Sequence, residues 1–127
     1  MNRMNTPLSR VRGLGSAKDG TEHFWILRLT SVANVPLILF AVISLVALNG
    51  ADHATVVGYF GSPVVSALML LVILSGVIHM KLGMQVIIED YVHSEFMKIA
   101  LLMLNTFFAY FFGLVAAVAL LKMSFGA

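Results

Sequence analysis

Three apolar runs organise this chain, with short polar stretches between them. Residues 26–48 are apolar apart from Arg28, Asn34, Pro36 and a few hydroxyl side chains. Residues 64–88 form the second run and residues 99–121 the third. Each exceeds the ~20 residues that a helix needs to cross ~30 Å of hydrocarbon. The pattern predicts an all-α membrane protein with three transmembrane helices. The second would reach about 37 Å, so it is expected to tilt or protrude. A β-barrel would alternate polar and apolar residues over short segments instead. The stretch GADHATVVGYFGSP, residues 50–63, predicts a short connection, with Pro63 suited to the first turn of span two. The predicted organisation is an N-terminal segment over 1–25, a three-helix anchor domain over 26–122 and a short tail over 123–127.

Composition supports this picture. The 127 residues are 60% hydrophobic and 11% charged, whereas soluble domains are about half apolar and a quarter charged. There is no cysteine. That rules out a disulfide, a cysteine-ligated iron–sulfur cluster and a thiol nucleophile within the chain. No internal repeat and no GxxxG zipper is present, and no nucleic-acid partner is expected.

Charge sets the expected orientation. Arg3, Arg10, Arg12, Lys18 and Arg28 precede or open the first run, while residues 49–63 hold Asp52 and no lysine or arginine. The positive-inside rule places the N-terminus in the cytoplasm and, after three spans, the C-terminus in the periplasm. Lys122 at the outer end runs mildly against this, but a single lysine snorkels readily. The basic N-terminal segment lacks the apolar core of a cleaved leader. It reads either as a solvated tail carrying topology charges or as a strand-like arm lying on a peripheral subunit.

Candidate chemistry is concentrated in GVIHMKLGMQVIIEDY, residues 76–91. Ionisable groups in hydrocarbon are costly and usually functional. On a helix, Gly76 and Gly83 share one face with His79, at three residues before it and four after. The imidazole then projects between two positions without side chains. Such a flat surface would admit a porphyrin, whose iron is commonly held by histidine. The other reading is a histidine bonded to a neighbouring helix, with the glycines allowing close packing. A bis-histidine haem would need its second ligand from another chain, because no other histidine falls within a predicted span. Asp90 lies on the same side as His79, about 16 Å along the axis, with Tyr91 next to it at the same end. Alone, the two would be a solvated acid and an aromatic-belt phenol. Beneath His79, they suggest a site reaching from mid-membrane to the inner surface. Lys81 points away from that face and reads as structural, snorkelling partway to the inner headgroups.

These residues resemble a known family. The segment HMKLGMQVIIEDY, with ten residues between His79 and Asp90–Tyr91, is similar to that of the small hydrophobic membrane-anchor subunits of alphaproteobacterial succinate dehydrogenase, respiratory complex II. The stretches GTEHFWILRLTSVANVPL and TPLSRVRGLGSAKDGTEHFW also resemble that family, so the likeness covers nearly the whole chain.

The resemblance implies a multi-pass protein of the bacterial inner membrane, part of an enzyme of the tricarboxylic acid cycle and respiratory chain. Its partners would be a flavoprotein, an iron–sulfur chain and a cytochrome b chain. It implies that His79 is one axial ligand of haem b shared with the cytochrome b chain, with Gly76 and Gly83 beside it. It further implies that Tyr91 hydrogen-bonds a ubiquinone carbonyl and that Asp90 belongs to the same site and is tied to proton delivery. Arg28 would lie near the haem propionates and quinone pocket, at a depth similar to Asp90 and Tyr91, unless it is a plain positive-inside anchor. FAD and iron–sulfur clusters would sit in the partner chains, and no catalytic residue for dicarboxylate chemistry is expected here. Two other readings stand beside this one. One is a fumarate reductase anchor with a lost or altered haem. The other is a structural or transport-associated three-span protein, although transporters more often show broken helices or repeats.

Overall fold

Each apolar run folds into one long helix, because hydrocarbon forces every backbone group to find its partner within the segment. The computed structural model describes residues 7–8 and 19–126. Arg3, Arg10, Arg12 and Lys18, on which part of the orientation argument rests, lie outside them. The described helices are α1, Asp19–Ala47; α2, His53–Phe60; α3, Pro63–Tyr91; and α4, Glu95–Ser124. Three of them, α1, α3 and α4, are long and apolar enough to cross a membrane. Their 29 or 30 residues give about 43–45 Å each, longer than the ~30 Å core.

Two boundaries differ from the sequence expectation. Helix α1 begins at Asp19, seven residues before the apolar run opens at Ile26. Glu22, in its first turn, suits the positive end of the helix dipole. The aromatic pair Phe24–Trp25, edge-to-face at 6.2 Å, suits an interface. The connection over residues 49–63 is not a plain loop but holds α2. Its N-cap Asp52 accepts the Thr55 N–H at 3.0 Å, satisfying a donor that the helix cannot. Gly50, at φ +77°, turns the chain before it.

Helix α3 is central. It packs against both α1 and α4, and no Cα of α1 comes within 8 Å of a Cα of α4 among the described residues. Helix α2 tucks against the ends of α3 and α4. Thr30, Asn34, Ser44 and Ser66 are buried, while valines, leucines and phenylalanines along all three long helices are exposed. This inverts the soluble pattern and fits lipid as solvent, where small polar residues join helices. Ser44 donates to Phe40 O at 2.8 Å and lies 2.7 Å from the Tyr59 hydroxyl. Ser66 donates to Phe60 O and lies 2.8 Å from Ser124 Oγ. These bonds tie the ends of α1, α3 and α4 through α2. At mid-length, Gly113 lies against Val77; a Cβ there would come within 3.2 Å of both Val77 methyl groups. Asn105 Nδ2 donates to Lys81 O at 2.9 Å, and Lys98 Nζ donates to Glu89 O at 3.1 Å.

Candidate membrane site around His79

His79 lies in the interior of α3, twelve residues before its end at Tyr91. It is half-buried and faces α1, where its Nδ1 lies 3.2 Å from Thr30 Oγ1. Thr30 is only 8% exposed, and its hydroxyl also lies 2.8 Å from Ile26 O and 3.1 Å from Leu27 O. Beside the ring is a groove of about 320 Å³ lined by Ser31, Asn34, Val35, Ile38 and His79. A Cβ built at Gly76 or at Gly83 would meet nothing within 4 Å. Both glycines therefore leave open space rather than admitting a tightly packed helix. The close approach in this chain uses Gly113 instead.

Helix α3 runs unbroken from His79 to Tyr91. The 3.6-residue repeat therefore keeps Asp90 on the His79 side, about 16 Å along the axis. Asp90 is exposed, and so is Tyr91 at 76%. At the same end, Gly20, His23, Gln85 and Glu89 line a polar groove of about 340 Å³. Gln85 Nε2 donates to Glu89 Oε1 at 2.8 Å, and the buried His23 Nε2 has no partner among the described residues. This groove was not visible in the sequence, since it depends on how far α1 extends before the apolar run.

Arg28 lies elsewhere than expected. It is two residues from Thr30, the partner of His79. Its backbone is therefore about 3 Å from that level along α1, not at the depth of Asp90 and Tyr91. The cause is the register of α1 against α3, which also brings Gly20 and His23 beside Gln85 and Glu89. The guanidinium reaches back to lie 5.0 Å from the Phe24 ring centroid and is exposed. Lys81 faces α4, away from His79. Its ammonium lies 5.2 Å from the Tyr110 ring centroid, a cation–π contact that holds it within the helix layer, where snorkelling to the inner headgroups was expected. His53 and His93 are exposed. Among the described residues no group of three or more His, Cys, Asp or Glu could hold a metal ion.

The family model of the succinate dehydrogenase/fumarate reductase transmembrane subunits matches residues 2–121. The chain is 30% identical over 122 residues to the succinate dehydrogenase hydrophobic membrane anchor subunit of Paracoccus denitrificans, covering 96% of this chain and 94% of that one. It is 29% identical over 83 residues to the subunit of the same name in Rickettsia bellii, covering 65% and 66% of the two chains. It is 31% identical over 81 residues to the succinate dehydrogenase membrane anchor subunit of Reclinomonas americana, covering 61% and 68%. With three spans, a polar seam between them and a match over nearly its full length, the chain belongs to the succinate dehydrogenase/fumarate reductase transmembrane subunit family.

Proposed function

We propose that this chain anchors a succinate:ubiquinone oxidoreductase in the bacterial inner membrane, supplying one axial ligand of a haem b and part of the quinone-reducing site. The observation that carries this reading is His79, an imidazole inside a membrane helix between two glycines whose missing side chains leave open space. The residues fit a porphyrin. One ring nitrogen is engaged by Thr30, the groove beside the ring is mostly apolar, and Arg28 stands close enough along α1 to pair with acidic groups at the porphyrin edge. The second axial ligand would come from a cytochrome b partner. Bound there, haem b would supply a one-electron carrier within the membrane.

The chain's own residues do the rest. Tyr91, exposed at the end of α3, donates a hydrogen bond to a quinone carbonyl oxygen and stabilises the negative charge that develops on it. Asp90, at the water boundary, passes protons to the reduced oxygens. Both lie at the end of α3 on which flavoprotein and iron–sulfur partners would dock from the cytoplasm. The family also contains fumarate reductase anchors; the direction of turnover is set by flavin and clusters in other chains.

The test is His79→Ala in the intact complex, purified in mild detergent. The reduced-minus-oxidised spectrum is expected to lose its sharp haem bands while succinate oxidation by a soluble dye persists. An unchanged spectrum overturns the ligand role.

A further inference from the structure

We propose that Thr30 is a positioning residue that fixes the tautomer of His79 and tunes the haem, an inference that rests on the haem-ligand reading above. The Thr30 hydroxyl has one proton and three neighbours that can accept it. Ile26 O lies at 2.8 Å and Leu27 O at 3.1 Å, while His79 Nδ1 lies at 3.2 Å. The proton goes to the nearest carbonyl, the usual back-bond of a helical threonine. Towards His79 the hydroxyl oxygen can then only accept, so Nδ1 must carry the hydrogen. A neutral imidazole has one N–H, and this one leaves Nε2 bare, with its lone pair available to iron. The reverse arrangement would put the hydrogen on Nε2 and block ligation.

The geometry is suited to this task. Thr30 is buried, so water does not compete for the bond. Its β-branched side chain is stiff in a helix, and its own back-bond locks the hydroxyl. The bond crosses from α1 to α3, so it sets both the tautomer and the plane of the ring. A hydrogen bond to the far nitrogen raises the basicity of a ligating imidazole and holds its orientation. More basic ligation favours ferric iron and lowers the midpoint potential.

The experiment compares Thr30→Val, which keeps shape and loses the hydroxyl, with Thr30→Ser, which keeps the hydroxyl. Both are made in the whole complex and read by haem content, redox titration and the electron paramagnetic resonance of the oxidised haem. Thr30→Val is expected to raise the midpoint potential, shift the resonance and weaken haem retention about 10–100-fold. Thr30→Ser is expected to behave as the unchanged protein. If both variants shift alike, the methyl group acts through packing and the proposal is overturned. If haem is present and Thr30→Val changes nothing, the proposal falls while the ligand reading stands. If the unaltered complex holds no haem, both fall. Should Thr30→Val fail to assemble, nitrogen-15 labelling of histidine in the otherwise unaltered complex stripped of haem, where ligation cannot dictate the tautomer, decides by magnetic resonance. A proton on His79 Nδ1 supports the proposal, and one on Nε2 overturns it.

Discussion

At the scale of single residues, His79 makes the helix-to-helix bond that one reading named, without the close glycine packing that went with it. It is bonded to a neighbouring helix through Thr30, and it also lies between glycines that pack against nothing. An imidazole has two nitrogens, so one bond does not use up the group. Gly113 shows what a packing glycine looks like here: its missing Cβ is occupied by Val77. Spacing along α3 could pick out the histidine and its glycines, but not Thr30, which is 49 residues away in sequence. Tyr91 gives the second residue-scale prediction. Tyr91→Phe is expected to cut quinone reduction strongly, by about 10²-fold if the phenol acts as a single oxyanion donor, while haem content and dye-linked succinate oxidation stay near normal. Unchanged quinone turnover would reduce the phenol to an interfacial aromatic.

At the scale of elements, hydrophobic run lengths located the three long helices, because the bilayer thickness sets a lower bound that each run exceeds. The runs could not show that α1 starts seven residues earlier or that α2 exists. The first lies in polar sequence and the second in an eight-residue stretch too short to register as a span, so capping rather than run length decides. The cap on α2 has a pH consequence. Hydrogen bonds from the Thr55 side chain and backbone hold the Asp52 carboxyl below its ordinary value of 3.8. A depressed carboxylate stabilises the folded form above its unfolded value, and that contribution is lost as pH falls through the lowered one. Asp52→Ala is therefore expected to speed amide exchange at Thr55 and the next turn at neutral pH. The difference from the unchanged protein should fade below about pH 4. The α3–α4 contact yields another prediction. Gly113→Leu would overpack against Val77 and cost about 1–3 kcal/mol, seen as easier unfolding of the detergent-solubilised protein. A Cβ at position 76 meets nothing within 4 Å among the described residues, so Gly76→Ala is expected to leave the fold intact and to lower haem retention by crowding the bound group.

At the scale of the whole molecule, α3 contacts both α1 and α4, whose Cα atoms come no closer than 8 Å to each other among the described residues. This leaves α3 open on its remaining faces, and exposed apolar side chains cover it. That arrangement suits a subunit completed by further helices and lipid. Orientation can be tested directly, because the chain has no cysteine of its own. A cysteine placed by Ser94→Cys is expected to react with a membrane-impermeant thiol reagent only from the cytoplasmic side, and one placed by Phe125→Cys only from the periplasmic side. Reaction in the opposite sense would invert the reading of the Asp90–Tyr91 end as the cytoplasmic mouth.

The sequence by itself determined that the chain spans a membrane three times, since hydrocarbon leaves no other solution for runs this long and apolar. It also determined that His79, Gly76, Gly83 and Asp90 share one side of a helix, with Tyr91 beside Asp90 at its end, since helical angles follow from residue number alone. Which groups meet across helices was decided only by tertiary structure. The register of α1 against α3 brings Thr30 to His79 and sets Arg28 near that level rather than beside Tyr91. It also gathers His23, Gln85 and Glu89 around one polar groove. The physical reason is that packing in a membrane rests on a few small and polar contacts. These few contacts choose the register, and nothing in a nearly uniform apolar run announces it.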